Sequence, residues 1–312
     1  MVEGARLLSE YTSQGYQGFE SLPLRQKVGL QQKMKRAVSI FAVVALVAGF
    51  LLVKNQTDTP VKVVLMSEVK WEQLNPARGD KSPKSGALWG DRTGTGPSGF
   101  LVKFVDGFRS PPHIHNVAYR GVVIEGSIHN SAPDAEEVWM SPGSFWTQPA
   151  GGAHITAAGG GNAMAYIEIE EGPYLVLHVG EAFQSGDNPV NLDASSIAWV
   201  SRPGVSASAG LKTAALWGSS QDNQPGGALV NLPAGFAGVI SSRGSIFRAV
   251  VIQGRPSHQA PGETGIKTME PGSYFGSGGE SAHLISCGTE EGCILYVRAE
   301  GGFNIIPTQP EK

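Results

Sequence analysis

Two cysteines in 312 residues are too few for a disulfide framework or a thiolate zinc site. They stand as Cys287-Gly-Thr-Glu-Glu-Gly-Cys293, a hairpin tip with a cysteine on each flank. That spacing is met equally by a cross-strand bridge and by two reduced thiols. Charge is also scarce: 16% of residues are Asp, Glu, Lys or Arg, below the roughly 25% of an average domain. A net charge of −3 provides no basic surface for nucleic acid. No amphipathic stretch of helical period longer than about ten residues follows Lys54, which argues against a helical bundle. The chain also lacks a phosphate loop, a G-x-S-x-G elbow and a Cys–His nucleophile pair. Gly159-Gly160-Gly161 reads as a turn, since no helical pattern follows it.

Glycine is abundant, at 42 residues, as tight turns between many strands require. Short β-branched or apolar segments bounded by Gly or Pro, such as Gly121-Val-Val-Ile124 and Ala249-Val-Val-Ile252, read as strands. Many such strands at regular spacing predict an all-β sandwich or barrel.

Residues 37–53, AVSIFAVVALVAGFLLV, form the one long apolar run. It just reaches the roughly 17 residues needed to span a bilayer. Arg25, Lys27, Lys33, Lys35 and Arg36 precede it without a nearby acid, so the N-terminus is expected to stay in the cytoplasm. The run reads as a transmembrane anchor facing the barrels to the periplasm from the inner membrane, or as a signal segment that secretes them there. Residues 1–36 read as a cytoplasmic or disordered segment.

An internal repeat organises the rest. Ala87-Leu-Trp-Gly90 returns as Ala215-Leu-Trp-Gly218, and Trp71, Gly107, Arg120 and Gly126 return as Trp199, Gly235, Arg248 and Gly254, at an offset of 128. Pro142-Gly-Ser144 and His154 return at 129 as Pro271-Gly-Ser273 and His283, and Tyr166 returns at 130 as Tyr296. Single-residue loop insertions produce such drift. The halves run over 62–185 and 190–312, with 184–196 as a polar linker.

The first half carries Gly107, five residues, His113-Ile-His115 and then Gly126, followed by Pro142-Gly143, Pro149-Ala-Gly151 and His154. Positions i and i+2 of a strand share a face, so both imidazoles of the first motif face one side and His154 can join them from another strand. This spacing resembles the two motifs of the cupin superfamily, G(X)5HXH(X)3,4E(X)6G and G(X)5PXG(X)2H(X)3N. More narrowly, the chain resembles an uncharacterised bacterial bicupin family. The resemblance implies two cupin barrels (double-stranded β-helix, jelly roll) in tandem, with a divalent Zn, Fe or Mn ion in the first. Three histidines suit such a metal, and their nitrogens are expected about 3–3.5 Å apart around it.

The motif's glutamate is replaced by Tyr119, with Arg120 beside it, and the second motif's asparagine by Ala158. In the second half an offset of 128 aligns Ser241, Arg243 and Phe247 with His113, His115 and Tyr119, leaving only His283. Arg243 is therefore expected to meet an internal carboxylate or reach the barrel mouth. Tyr119, Arg120, Arg243 and His283 are further pocket residues. Arg120, repeated as Arg248, reads as a structural ion pair or rim contact, or as an anchor for an anion. His129 and His258 read as exposed strand starts, His178 as an interface or core residue, and Glu168, Glu170 and Glu171 as a solvated strand face. Three functions compete: a metal-dependent enzyme on a small molecule (oxygenase, isomerase or hydrolase), a non-catalytic metal- or ligand-binding sensor, and a structural role with no metal. A small-molecule partner is expected, nucleic acid is not, and a homodimer stays open.

Overall fold

The structure, a computed structural model, describes residues 61–201, 210–218 and 224–308. The apolar run at 37–53 and the residues before it lie outside the described residues, among which no helix is long and apolar enough to cross a membrane.

The described chain is built from antiparallel strands, with only four 3-10 turns of three to six residues between them. The sheet of the first half runs Phe145–Gln148, Tyr119–Ser131, Ile155–Ile169, Ser98–Lys103, Lys84–Trp89 and Trp71–Gln73, with Val190–Leu192 of the second half added at the Phe145–Gln148 edge. Facing it, His113–His115 pairs with Val176–His178. The second half repeats the plan with a seven-stranded sheet and a five-stranded sheet.

The opening strand of each half crosses to the sheet of the other. Val61–Val64 lies against Tyr274–Gly278, with Val63 opposite Phe275. Val190–Leu192 lies against Phe145–Gln148, with Asn191 opposite Trp146. The two crossings are equivalent under the repeat and tie the halves together by backbone hydrogen bonds.

Three buried clusters result. One fills the first barrel around Phe100, Val123 and Trp146, and another fills the second around Val230, Phe247 and Leu295. The third joins Leu88, Val122 and Tyr166 of one half to Leu229, Val250 and Tyr296 of the other. Sheets covered on both faces need continuous apolar strands. This explains Gly121-Val-Val-Ile124: Val123 points into the barrel, while Val122 and Ile124 point to the partner half.

The middle layer also has a polar part with the same two-fold pattern. Trp89 and Trp217 donate to the hydroxyls of Tyr166 and Tyr296, each at 2.9 Å. Both indoles lie on bare glycine: a Cβ at Gly99 or Gly227 would overlap the indole nitrogen of Trp89 or Trp217. The two tyrosine hydroxyls converge on Glu168 at 3.1 and 2.7 Å. Arg298 grips Glu170 through two nitrogens at 2.8 and 2.7 Å. The Arg120 guanidinium lies 3.7 Å from the centre of the Trp217 ring, and Arg248 lies 3.6 Å from that of Trp89. The acidic run is therefore split: Glu170 and Glu171 are exposed, as expected of a solvated face, and Glu168 is not. Glu168 is 1% exposed, because its strand is covered by the other half, which supplies the counter-charge.

Cys287 and Cys293 are bridged, with their Cα atoms 6.1 Å apart. Gly160 and Gly161, expected in a turn, lie inside the long strand Ile155–Ile169, where positive φ at both bends the chain.

Candidate metal centre

His113 and His115 come from one short strand, and His154 stands opposite His113 in the ladder. The turn that delivers His154 needs Gly151, whose φ of +72° is costly for any side-chain-bearing residue. The three rings are 9%, 2% and 1% exposed.

Each ring spends its Nδ1 on the backbone. His113 Nδ1 is 3.0 Å from the Pro111 carbonyl, His115 Nδ1 is 2.8 Å from that of Leu175, and His154 Nδ1 is 3.0 Å from that of Gly152. A carbonyl only accepts, so Nδ1 carries the proton in all three rings and each Nε2 presents a lone pair. One nitrogen from each ring lies within 4.8 Å of the others. That bound is compatible with the roughly 3–3.5 Å expected around a bound ion.

Burial dominates their electrostatics. It lowers the pKa of His113, with the Arg78 charge acting in the same direction. It pushes His115 well below the ordinary value, and its two neighbouring histidines push it further. Burial and then His113 bring His154 down to about 3. The rings are neutral at pH 7, as ligation requires.

Tyr119, at the place of the motif's glutamate, is buried with its hydroxyl 3.0 Å from Asn130 Oδ1 and 3.4 Å from His154 Nε2. Burial raises its pKa far above the usual phenol value, so it stays a hydroxyl. Asn130 Nδ2 donates to Gln148 Oε1 at 3.0 Å, and Gln148 Nε2 donates at 2.9 Å to the carbonyl that holds His154 Nδ1. This closed circuit fixes the ring orientation, the usual task of groups behind a metal ligand. With the Tyr119 proton directed to Asn130, its oxygen and His154 Nε2 turn lone pairs toward each other, a conflict that a cation between them would relieve. The donor set fits a divalent metal.

Tyr174 stacks on His115, with ring centres 4.3 Å apart, and its hydroxyl is 3.2 Å from His115 Nε2. Sequence reading missed Tyr174, Asn130 and Gln148. Tyr174 lies 59 positions from His115, and nothing local in the sequence marks it. His113, His115, Tyr119 and Tyr174 line a chamber of about 330 Å³, walled by Phe104, Phe108 and Trp146 with Arg78 also in its lining. No Asp or Glu lines it.

The other expected positions fall elsewhere. Arg120 reaches Glu170 at 2.6 Å and lies between the halves. In the second barrel Ile240 stands opposite His283, as His113 stands opposite His154. Ile240 and Ser242 therefore take the places of His113 and His115, one residue earlier than the offset of 128 predicts. Ser241 turns away from the interior, and Arg243 is exposed in the turn after the strand Ala237–Ser242. Arg243 thus never enters the barrel, because the extra residue of this half lies after Ser242. Phe247 is buried against His283, ring centres 5.2 Å apart.

Three histidine expectations also change. His129 and His258 are 2% and 1% exposed, since both lie on inward faces of strands and not at strand starts. His258 Nε2 is 3.0 Å from His283 Nδ1. His178 is exposed and accepts a hydrogen bond from the Gly180 amide, capping a 3-10 turn.

Several solved structures share the architecture. A candidate dioxygenase from Nostoc punctiforme superposes with a TM-score of 0.57 at 16% identity, covering 80% of this chain and 87% of that one. An oxalate decarboxylase from Bacillus subtilis, a protein with Mn(II) centres, gives 0.51 at 10% identity, covering 78% of each chain. Vicilin from hazelnut, Corylus avellana, gives 0.52 at 10% identity, covering 78% and 87%. At such identities the likeness shows the fold, which is that of the cupins. No curated protein matches the chain. Residues 62–306 match the family model described as a domain of unknown function, DUF4437, and the chain belongs to that family.

Proposed function

We propose that the first barrel holds one divalent metal through His113, His115 and His154 and acts as a metal-dependent enzyme on a small molecule. The observation that carries this is the shared tautomer: three Nδ1–H groups fixed on backbone carbonyls, and three Nε2 lone pairs gathered beside an apolar chamber. A bound ion would supply Lewis acidity and open coordination positions, with Fe, Mn and Zn all compatible with imidazole.

The remaining chemistry comes from the chain. The hydroxyls of Tyr119 and Tyr174 border the Nε2 atoms and are held protonated by burial; Tyr119 gives its proton to Asn130, and Tyr174 would have its proton free for a ligand oxygen once His115 Nε2 is on a metal. Phe104, Phe108 and Trp146 give the chamber apolar walls. With no carboxylate in the lining, the site offers no carboxylate base. That favours oxygenase-type chemistry over an isomerisation that needs one.

The test is elemental analysis of protein purified without added metal, combined with thermal shift on addition of Fe²⁺, Mn²⁺ or Zn²⁺. One equivalent per chain and a rise in Tm, both lost in His113→Ala/His115→Ala, are expected. A double variant that keeps its metal overturns the proposal. Tightly held zinc with no O₂ uptake would favour a binding or sensing module. For location, we propose that residues 37–53 hold or deliver the barrels on the periplasmic side of the inner membrane, on the support of the apolar run and the basic residues before it.

A further inference from the structure

The chamber beside the three histidines carries one cation and no anion. Its lining is largely apolar, with Phe104, Phe108, Trp146 and Tyr174 supplying arene surface. The cation is Arg78, on the 3-10 segment Pro76–Lys81 that precedes the first sheet's long strands. Arg78 is half-buried, and its guanidinium lies 5.1 Å from the centre of the Phe108 ring.

The arginines of the described ion pairs, Arg92, Arg109, Arg120, Arg255 and Arg298, each meet a glutamate. Arg78 meets none among the described residues, and its side chain has only an arene beneath it. A guanidinium resting on a ring has no acceptor there for its N–H groups and can offer them to a carboxylate, and partial burial strengthens that contact. A volume of about 330 Å³ lies at the small end of ligand pockets, yet is far more than a two-carbon acid fills.

Taking the three-histidine reading as its basis, we propose that the first barrel's ligand is an apolar monocarboxylate. Its arene or alkyl body would lie among Phe104, Phe108 and Trp146, and its carboxylate would be received by Arg78. The single unpaired cation selects a monoanion. The apolar walls disfavour a small dianion such as oxalate, the substrate named for one structural relative.

Calorimetric titration of the full chain, with metal content measured on every sample, tests this with three probes: 3-phenylpropanoate, its neutral amide 3-phenylpropanamide, and oxalate. The acid is expected to bind about tenfold tighter than the amide, the size of one charge-assisted hydrogen bond at a half-exposed site, and tighter than oxalate. Arg78→Gln should bring acid and amide within about twofold of each other without changing metal content, and Arg78→Lys should keep part of the preference. Phe108→Ala should weaken acid and amide together.

Equal binding of acid and amide by the unaltered protein overturns the proposal. So do tighter oxalate binding, no binding of the acid, or a preference that survives Arg78→Gln. Metal content separates the two readings. Unaltered metal in His113→Ala/His115→Ala sinks the metal site, whereas a lost metal with no acid preference in the unaltered protein sinks only the ligand assignment.

Discussion

The two barrels share a strand plan but treat the same histidine in opposite ways. His154 gives Nδ1 to the Gly152 carbonyl and leaves Nε2 facing Tyr119, His113 and His115. His283 spends both nitrogens on side chains: Nδ1 is 3.0 Å from His258 Nε2, and Nε2 is 3.1 Å from Ser277 Oγ. Ile240, Ser242 and Phe247 fill the space that His113, His115 and Tyr119 occupy in the first barrel. A retained histidine therefore says little about ligation. What distinguishes the first barrel is three histidines that each give Nδ1 to a backbone carbonyl and bring a nitrogen to one place; the second barrel keeps one of the three and commits both its nitrogens to side chains.

The comparison can be broken most severely at the metal. His113→Ala/His115→Ala should take the chain from one equivalent to about none, and His283→Ala should leave one, both read by elemental analysis. A second equivalent lost with His283 would show that the second barrel ligates after all.

The seam between the halves comes next. Arg298→Ala leaves Glu168 buried with its nearest counter-charge gone, which should cost about 3–5 kcal/mol in denaturant unfolding. The register follows. Ile240 is fully buried, so Ile240→Ala should cost about 2–5 kcal/mol. Exposed Arg243→Ala should cost less than about 0.5 kcal/mol. The reverse order would restore the alignment of His115 with Arg243.

Acid acts on the second barrel's histidine pair, with a smaller effect for each histidine. Burial lowers His258 to about 4, with Lys267 adding to it, and burial and then His258 lower His283 to about 3. In the unfolded chain both titrate near 6.5. As pH falls below 6.5 the unfolded state takes up protons first, so stability is lost from there down toward pH 4 and 3. At pH 5 the loss is about 2 kcal/mol per histidine. Metal bound in the first barrel should not remove this share of the pH dependence. A melting curve flat between pH 7 and 5 would contradict it.

Much of this was legible from the chain alone. The histidine spacing was readable because His113 and His115 are two positions apart on one strand, and the turn at Gly151 fixes where His154 starts. The repeat was readable from Trp-Gly and Pro-Gly-Ser pairs. The register at Ile240 was not, because the second half has one residue fewer before that strand and one more after it. The net offset conceals both changes. Glu168 looked solvent-facing because its neutraliser, Arg298, is far along the chain and meets it only when the halves pack. Arg78 precedes both motifs and acquires meaning only where its segment closes over Phe108.

The most direct test is long-range ¹⁵N–¹H NMR of the seven histidines while Zn²⁺ is added to the metal-free chain. The account predicts that the Nε2 signals of His113, His115 and His154 move while their Nδ1–H signals stay protonated, and that His258 and His283 do not shift. Movement of His283, or an unchanged first-barrel set at one equivalent of zinc, would contradict it.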